Sequence, residues 1–275
     1  MALSLHTNIG ANAAAKSAIA VTHNADRSMA RLASGSRING AGDDAAGLGT
    51  ASRLASEARG FEQAAKNAAD AQTMLTTLEG GYGEMKSVLQ RLRELSVQAG
   101  SDTHAIADLA NIKAEYDALV EQIDEIALQT KWGGNAQLSE GGTFSYQIGD
   151  AGNETLTFTI EKISASDLSL QDSSAANLRS TTAFSAHIDL LDTAIATVVE
   201  RQAQLGATIN RLDNRMAFLA SGSAAARDSL GRVQDTDFAL ESVDLAKNQI
   251  LHQSAIAMLA QANASKDTVL SLISG

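Results

Sequence analysis

Apolar residues recur along this chain alternately three and four positions apart in three separate segments. The longest runs through Ile188, Leu191, Ile195, Val198, Gln202, Leu205, Ile209, Leu212, Met216, Leu219, Ser223, Ala226, Leu230 and Val233. Phe61, Ala64, Ala68, Ala71, Leu75, Leu78, Tyr82, Met85, Leu89 and Leu92 keep the same spacing, as do Leu109, Ile112, Tyr116, Leu119, Ile123 and Ile126. Such spacing lays the apolar groups on one narrow stripe of an α-helix, and that stripe must be buried against other helices. At about 1.5 Å per residue the last segment alone makes a rod of roughly 65–70 Å. The pattern predicts long helices that need one another, a rod-shaped structural protein in place of a compact enzyme.

The pattern changes at six places. Residues 3–31 are alanine-rich and helix-compatible but carry a thin apolar set, Leu5, Ile9, Ile19 and Met29. The segment from Ser34 to Asp44 holds Gly35, Asn39, Gly40 and Gly42, which stop a helix, and Asp43 or Asp44 can cap the next one through its carboxylate. That helix is expected to reach about Ala99, with Gly100-Ser101-Asp102 as the break, Asp102 or Thr103 as the cap, and a second helix ending near Thr130. Near 143–161 the period becomes two: Phe144, Tyr146 and Ile148, then Leu156, Phe158 and Ile160, flank the turn-forming Asp150-Ala151-Gly152-Asn153, a β-hairpin with one apolar face. A serine-rich connection over about 164–182 leads into the longest helix. After Val233 the heptad fails, although 235–272 stays helical in type, with its apolar residues spread around the circumference. Both chain ends therefore look like helices in need of a surface they do not carry.

Composition supports this division. Much of the 44% apolar content is alanine, aromatic residues make up 4%, and proline and cysteine are absent. Alanine favours helix yet buries little area, and no proline interrupts a long one. Without cysteine there is neither a disulfide framework nor a thiolate metal site. The net charge of −11 argues against nucleic acid, and residues 61–163 hold 16 acidic against 7 basic side chains. No stretch approaches the ~18 apolar residues of a membrane span, and the N-terminus lacks the basic-then-apolar pattern of a cleaved secretory signal.

Catalytic and metal chemistry finds no foothold. Gly40-Ala41-Gly42-Asp43-Asp44-Ala45 matches G-x-G-x-x-A formally, but no strand precedes it and two aspartates would face the phosphates. His6, His23, His104, His187 and His252 form no i, i+4 pair and no H-E-x-x-H. Gly80-Gly81-Tyr82-Gly83 lacks the Lys-Ser/Thr of a phosphate loop and reads as a place of close helix approach. No catalytic residue, metal ligand or cofactor is expected.

Several blocks together carry a family resemblance. Arg31-Leu32-Ala33-Ser34-Gly35-Ser36-Arg37-Ile38-Asn39 followed by Asp43-Asp44-Ala45-Ala46-Gly47-Leu48 resembles the N-terminal signature of bacterial flagellins, as does Leu89-Gln90-Arg91-Leu92-Arg93-Glu94-Leu95-Ser96-Val97-Gln98. The hairpin Phe144-Ser145-Tyr146-Gln147-Ile148-Gly149 with Glu154-Thr155-Leu156 is similar to the family's hairpin. Gln249-Ile250-Leu251-His252-Gln253, Leu259-Ala260-Gln261-Ala262-Asn263 and Val269-Leu270-Ser271-Leu272-Ile273 resemble its C-terminal signature.

The resemblance implies a mainly α fold: a long antiparallel helical bundle or coiled coil with a small β-hairpin subdomain and paired N- and C-terminal helices. Residues 1–42 with 234–275 would form the D0-like filament core, and 43–233 the D1-like bundle, with no D2- or D3-like outer domain. It implies a structural subunit of the filament used for swimming, exported unfolded through the type III channel without a cleaved signal peptide and assembled extracellularly at the tip. Its partners would be other copies of itself, cap and hook-junction proteins, an export chaperone at the C-terminus and a host's flagellin-sensing Toll-like receptor, with no nucleic acid or membrane. Self-assembly would rest on Leu5, Ile9, Ile19, Ile250, Leu251, Ile256, Leu259, Val269 and Leu272. By motif position Arg91, Leu95 and Glu115, with Gln90 and Glu94, correspond to the receptor or subunit contact, and Asp43 and Asp44 to the joint. A hook–filament junction protein of the same superfamily is the alternative, with a secreted enzyme on a coiled-coil scaffold behind it. This chain departs from the pattern in three ways. Only about residues 162–183 could hold a surface elaboration, Trp132-Gly133-Gly134 replaces the usual aromatic-Asn-Gly, and Ser274-Gly275 stands in place of a terminal arginine.

Overall fold

A computed structural model of the chain describes residues 7–101, 105–170 and 181–274, and within these no side chain at 106, 181–185 or 269–274. The elements in order are α1 (Ile9–Ser34), α2 (Ala45–Ala99), α3 (Ile106–Gln129), β1 (Lys131–Trp132), β2 (Asn135–Ala136), α4 (Gln137–Glu140), β3 (Gly142–Gln147), β4 (Thr155–Ile160), α5 (Thr181–Gln234) and α6 (Phe238–Ser274). The fold is mainly α, with long antiparallel helices and a small region of hairpins. It divides into two compact units, one of Met1–Ser56 with Ala225–Gly275 and the other of Glu57–Ala224.

In the Glu57–Ala224 unit α2 is the central helix. Its heptad residues from Ala64 to Leu92 are buried, and so are Met74, Val88, Leu95, Ser96 and Ala99. A helix packed on two sides must bury more than one stripe, which is why α2 hides residues the heptad alone omits. Cross-helix pairs fix α5 antiparallel to it: Gln72 Nε2 donates to Asp213 Oδ1 at 2.8 Å, and the Arg93 guanidinium reaches both oxygens of Asp192 at 2.6 and 3.3 Å. On α5 one heptad set, Leu191, Val198, Leu205, Leu212 and Leu219, is buried, whereas Ile195, Gln202, Ile209 and Met216 are half-buried. Helix α3 lies antiparallel on the other side of α2, burying Ile112, Tyr116, Ile123 and Ala127.

Glycine at 81 is required by this packing. A Cβ there would sit 2.6 Å from Thr130 Oγ1 and 2.9 Å from Leu138 Cδ1, so any side chain pushes the end of α3 and α4 away from α2. The β1–β2 hairpin pairs Lys131 with Ala136 and Trp132 with Asn135, leaving Gly133 (φ 60°) and Gly134 (φ 91°) as its two-residue turn. Both central residues need positive φ, the demand that Asn-Gly meets elsewhere, so Gly-Gly serves the same turn.

The larger hairpin is antiparallel, with Phe144 opposite Phe158 and Tyr146 opposite Leu156. Its apolar face packs on the core, where Tyr146 and Phe158 stack with ring centroids 5.8 Å apart and the Tyr146 hydroxyl meets Met74 Sδ at 3.2 Å. Two polar side chains tie it to the long helices. Asn67 Nδ2 donates to the Gln147 carbonyl at 3.0 Å, and Arg215 donates to the Ile148 carbonyl at 2.8 Å and to Glu154 at 2.7 Å.

The serine-rich stretch begins differently from expectation. Ile163, Ala165, Leu168 and Leu170 are buried in the core, and the Ala165 N–H donates to Asp124 Oδ1 at 2.7 Å. Residues 163–170 are therefore packed chain, and neither a connection from 164 nor a surface elaboration from 162 describes them. The apolar residues point inward while Ser164, Ser166 and Asp167 bond one another outside, with Asp167 held below the usual carboxylate range chiefly by the Ser164 hydroxyl. Residues 171–180 lie outside the described residues.

Acid is expected to destabilise this unit. The Arg93 guanidinium bonded to Asp192, and that of Arg201 bonded to Glu161, hold both carboxyls below their ordinary values of 3.8 and 4.5. Such groups bind fewer protons folded than unfolded, so their stabilisation is complete above those values and is lost as pH falls through the lowered ones. His187, ring-packed on Tyr116 at 5.3 Å, is held below its ordinary 6.5 by burial. The unfolded chain takes up that proton first, so stability also declines as pH drops from about 6.5. Thermal melts followed by circular dichroism should show a shallow decline below pH 6.5 and a further modest one below pH 4. Melting independent of pH between 3 and 7 would contradict this assignment.

Candidate self-assembly surface

The unit of Met1–Ser56 with Ala225–Gly275 is built on α1 and α6, which run antiparallel. Asn8 joins them at one end: its Oδ1 accepts from the Ala11 N–H at 3.0 Å as the cap of α1, while its Nδ2 donates to the Ala262 carbonyl at 3.1 Å. At the other end the Arg37 N–H donates to the Gln234 carbonyl at 2.6 Å, Arg37 Nη2 to the Val233 carbonyl at 2.7 Å, and the Thr236 N–H to the Gly35 carbonyl at 3.0 Å. Helix α6 then starts on Asp237, whose Oδ1 accepts from the Ala239 and Leu240 N–H groups at 2.9 and 3.2 Å. Arg31 lies 3.6 Å from the buried Glu241.

The two joint aspartates divide their work. Asp44 Oδ1 accepts from the Gly47 N–H at 2.8 Å at the start of α2. Asp43 instead folds back on the loop, accepting from the Asn39 N–H at 3.2 Å and facing Arg27 at 3.8 Å. Replacing Asp44 with alanine is expected to cost about 1 kcal/mol through the lost cap, whereas Asp43→Ala should cost less. Urea unfolding of the two variants measures the difference.

Hydrogen bonds close the ends of this pair, but its flanks stay bare. Of fourteen strongly exposed large apolar side chains among the described residues, ten lie on α1 and α6. Ile9 and Ile19 are each 71% exposed, and Ile250 and Met258 each 64%. Leu251 and Ile256 are also exposed and Leu259 is half-buried, whereas Leu5 and the side chains of Val269 and Leu272 lie outside the described residues. The apolar residues of α6 fall on several faces, as in a helix surrounded by protein. Between the helices runs an open groove of about 580 Å³, lined by Ala13, Ala14 and Val21 from α1 and by Leu251, Ala255 and Met258 from α6. Small residues on the α1 side let another backbone or a large side chain come close. Each aliphatic side chain covered here contributes about 1.5–3 kcal/mol.

A second cluster lies on the Glu57–Ala224 unit. Gln90, Arg91, Glu94 and Glu115 are exposed. Arg91 donates through Nη2 and Nε to one oxygen of Glu115 at 2.7 and 3.1 Å and through Nη1 to Glu94 at 3.1 Å. Leu95 does not join them. It is 1% exposed, because the buried stripe of α2 continues past Leu92 through Leu95 and Ala99, and its expected role as a surface contact is corrected to a core one. The heptad itself continues from Leu92 to Ser96, so the spacing alone does not single out Leu95.

Among the described residues no group of His, Asp and Glu is arranged to hold a metal ion, and no helix is long and apolar enough to cross a membrane. The bundle, the hairpin and the exposed terminal pair define a structural protein made to be covered by protein. The bacterial flagellin N-terminal helical region matches residues 5–143 and the flagellin C-terminal helical region residues 188–273. The chain is 33% identical to a flagellin of Halalkalibacterium halodurans over 99% of its own length and 97% of that protein. It is 34% identical to the flagellin of Bacillus subtilis over 90% of this chain and 92% of that one. In fold it is similar to a protein of Vibrio parahaemolyticus described as flagellar hook-associated, with a TM-score of 0.61 at 14% identity over 70% of this chain and all of the other. The chain belongs to the bacterial flagellin family. It is a short-form structural subunit of the extracellular flagellar filament, built from copies of itself.

Proposed function

We propose that this subunit assembles by coupled folding of its two ends, with α1 and α6 as the D0-like core of the filament and the Glu57–Ala224 bundle as the D1-like body. One observation carries this reading: exposed apolar side chains concentrate on the terminal pair, while the bundle buries its heptads within itself. In a free subunit, ordering those ends costs about 1–2 kcal/mol per residue of backbone entropy, and a helix pair that leaves its isoleucines in water gains little in return. Neighbouring subunits supply the missing burial, so growth needs an existing end and subunits in solution stay monomeric.

The same reading makes swimming motility the purpose of the polymer. Export through the type III channel suits a chain whose ends are unstructured until assembly. Cap, hook-junction and C-terminal chaperone proteins are its expected partners on family grounds. Where a host's Toll-like receptor engages α2 and α3, it meets Gln90, Arg91, Glu94 and Glu115, with Leu95 supporting them from beneath.

Seeding tests the proposal. Purified monomer added to sheared filament fragments in a salting-out salt should extend them into long fibres visible by negative stain. Fragments that gain no length with excess monomer would overturn it in favour of a junction protein present in few copies.

A further inference from the structure

The joint between α1 and α2 holds a reactive feature of a different kind. Asn39 precedes Gly40, and glycine has no Cβ to shield its nitrogen from the preceding side chain. Asn39 is exposed, and its carboxamide bonds to no group among the described residues. The Gly40 N–H likewise donates to nothing there, and a Cβ built on Gly40 would meet nothing within 4 Å. The segment is held from behind: the Asn39 N–H donates to Asp43 Oδ2 at 3.2 Å and the Asp43 N–H to the Gly40 carbonyl at 3.1 Å. Reacting carbon and nitrogen thus belong to adjacent residues with free polar groups and open space. Asn8 and Asn67 contrast with this, because their carboxamides are bonded to Ala262 and Gln147 and their next residues, Ile9 and Ala68, are helical.

We propose that Asn39 is a site of spontaneous modification by water, through attack of the Gly40 nitrogen on its side chain. The Gly40 nitrogen bonds to Asn39 Cγ, the Cγ–Nδ2 bond breaks, and the nitrogen's proton leaves with the amide as ammonia, giving a five-membered succinimide. Water then adds to either ring carbonyl and opens the ring to aspartate or isoaspartate. One water is consumed and one ammonia released, with no oxidant or reductant. The product places a third carboxylate in the loop of Asp43 and Asp44, where Arg27 already faces Asp43. The isoaspartate form also lengthens the main chain one residue after Ile38, which is 2% exposed, and two after Arg37, whose N–H holds the Gln234 carbonyl.

The test incubates the full-length chain in mildly alkaline buffer, both folded and unfolded in urea, beside the Gly40→Val variant, and maps peptides by mass spectrometry. No left-handed backbone or neighbouring atom opposes valine at position 40. The folded parent should convert Asn39 to aspartate and isoaspartate at a rate comparable to the urea sample, while Asn8 and Asn67 stay amides. Valine at 40 should slow conversion by at least about tenfold, since its branched side chain is stiff and crowds the nitrogen. A folded parent that keeps Asn39 intact while the urea sample converts it would overturn the proposal. So would a Gly40→Val chain that converts as fast as its parent.

Discussion

Replacing Ile250 and Met258 together with aspartate is expected to abolish seeded filament growth while leaving the melting of the Glu57–Ala224 bundle unchanged. Both side chains are 64% exposed on a single subunit, so the free subunit, with its ends ordered or not, accepts a carboxylate at either place with little penalty. In the filament each would be an unpaired charge inside a protein interface, at a cost of about 3–5 kcal/mol. One such charge raises the concentration needed for growth by about a thousandfold, at 1.4 kcal/mol per tenfold. Sedimentation of polymer from a concentration series measures this directly. Exposed apolar residues of the bundle, Val97 or Leu128, should tolerate the same substitution with a smaller effect on growth.

The second large effect concerns the bundle. Leu78→Ala is expected to destabilise it by about 2–5 kcal/mol, because Leu78 is fully buried in α2 among side chains from several elements. Gly81→Val should add a penalty of the opposite kind, about 1–3 kcal/mol of overpacking against Thr130 and Leu138. Leu128→Ala, at a half-exposed site, should stay within about 0.5 kcal/mol. Guanidinium unfolding of the three variants ranks them. A Leu78→Ala chain as stable as the parent would mean that α2 is not the centre of the core.

How much of this was legible in the sequence depended on the kind of interaction. The heptads of α2, α3 and α5 and the alternation of the Phe144–Ile160 hairpin are periodic, and period follows directly from backbone geometry. The burial of Met74, Val88 and Leu95 was not legible, because it arises from α2 having partners on two sides, and one strand of sequence cannot say how many neighbours a helix has. The polar anchors Asn67, Arg93 and Arg215 were invisible for a related reason: each bonds a partner tens of residues away, and only the folded chain decides which. Ile163 to Leu170 was hidden by its serines, since composition outweighed four apolar residues with no regular spacing. On the terminal surface the sparseness of large apolar residues was readable, and so was their spread around α6. Asn8 as the clasp between the ends was not, although asparagine ahead of an alanine-rich helix is a cap signal.

Amide hydrogen exchange, compared between free subunit and filament, tests the central claim most directly. The bundle from Glu57 to Ala224 should be protected in both states. Residues 9–34 and 238–268 should exchange quickly in the free subunit and become strongly protected once the filament forms. Strong protection of both terminal segments in the monomer would contradict coupled folding and mean that the ends form a finished pair before any neighbour arrives.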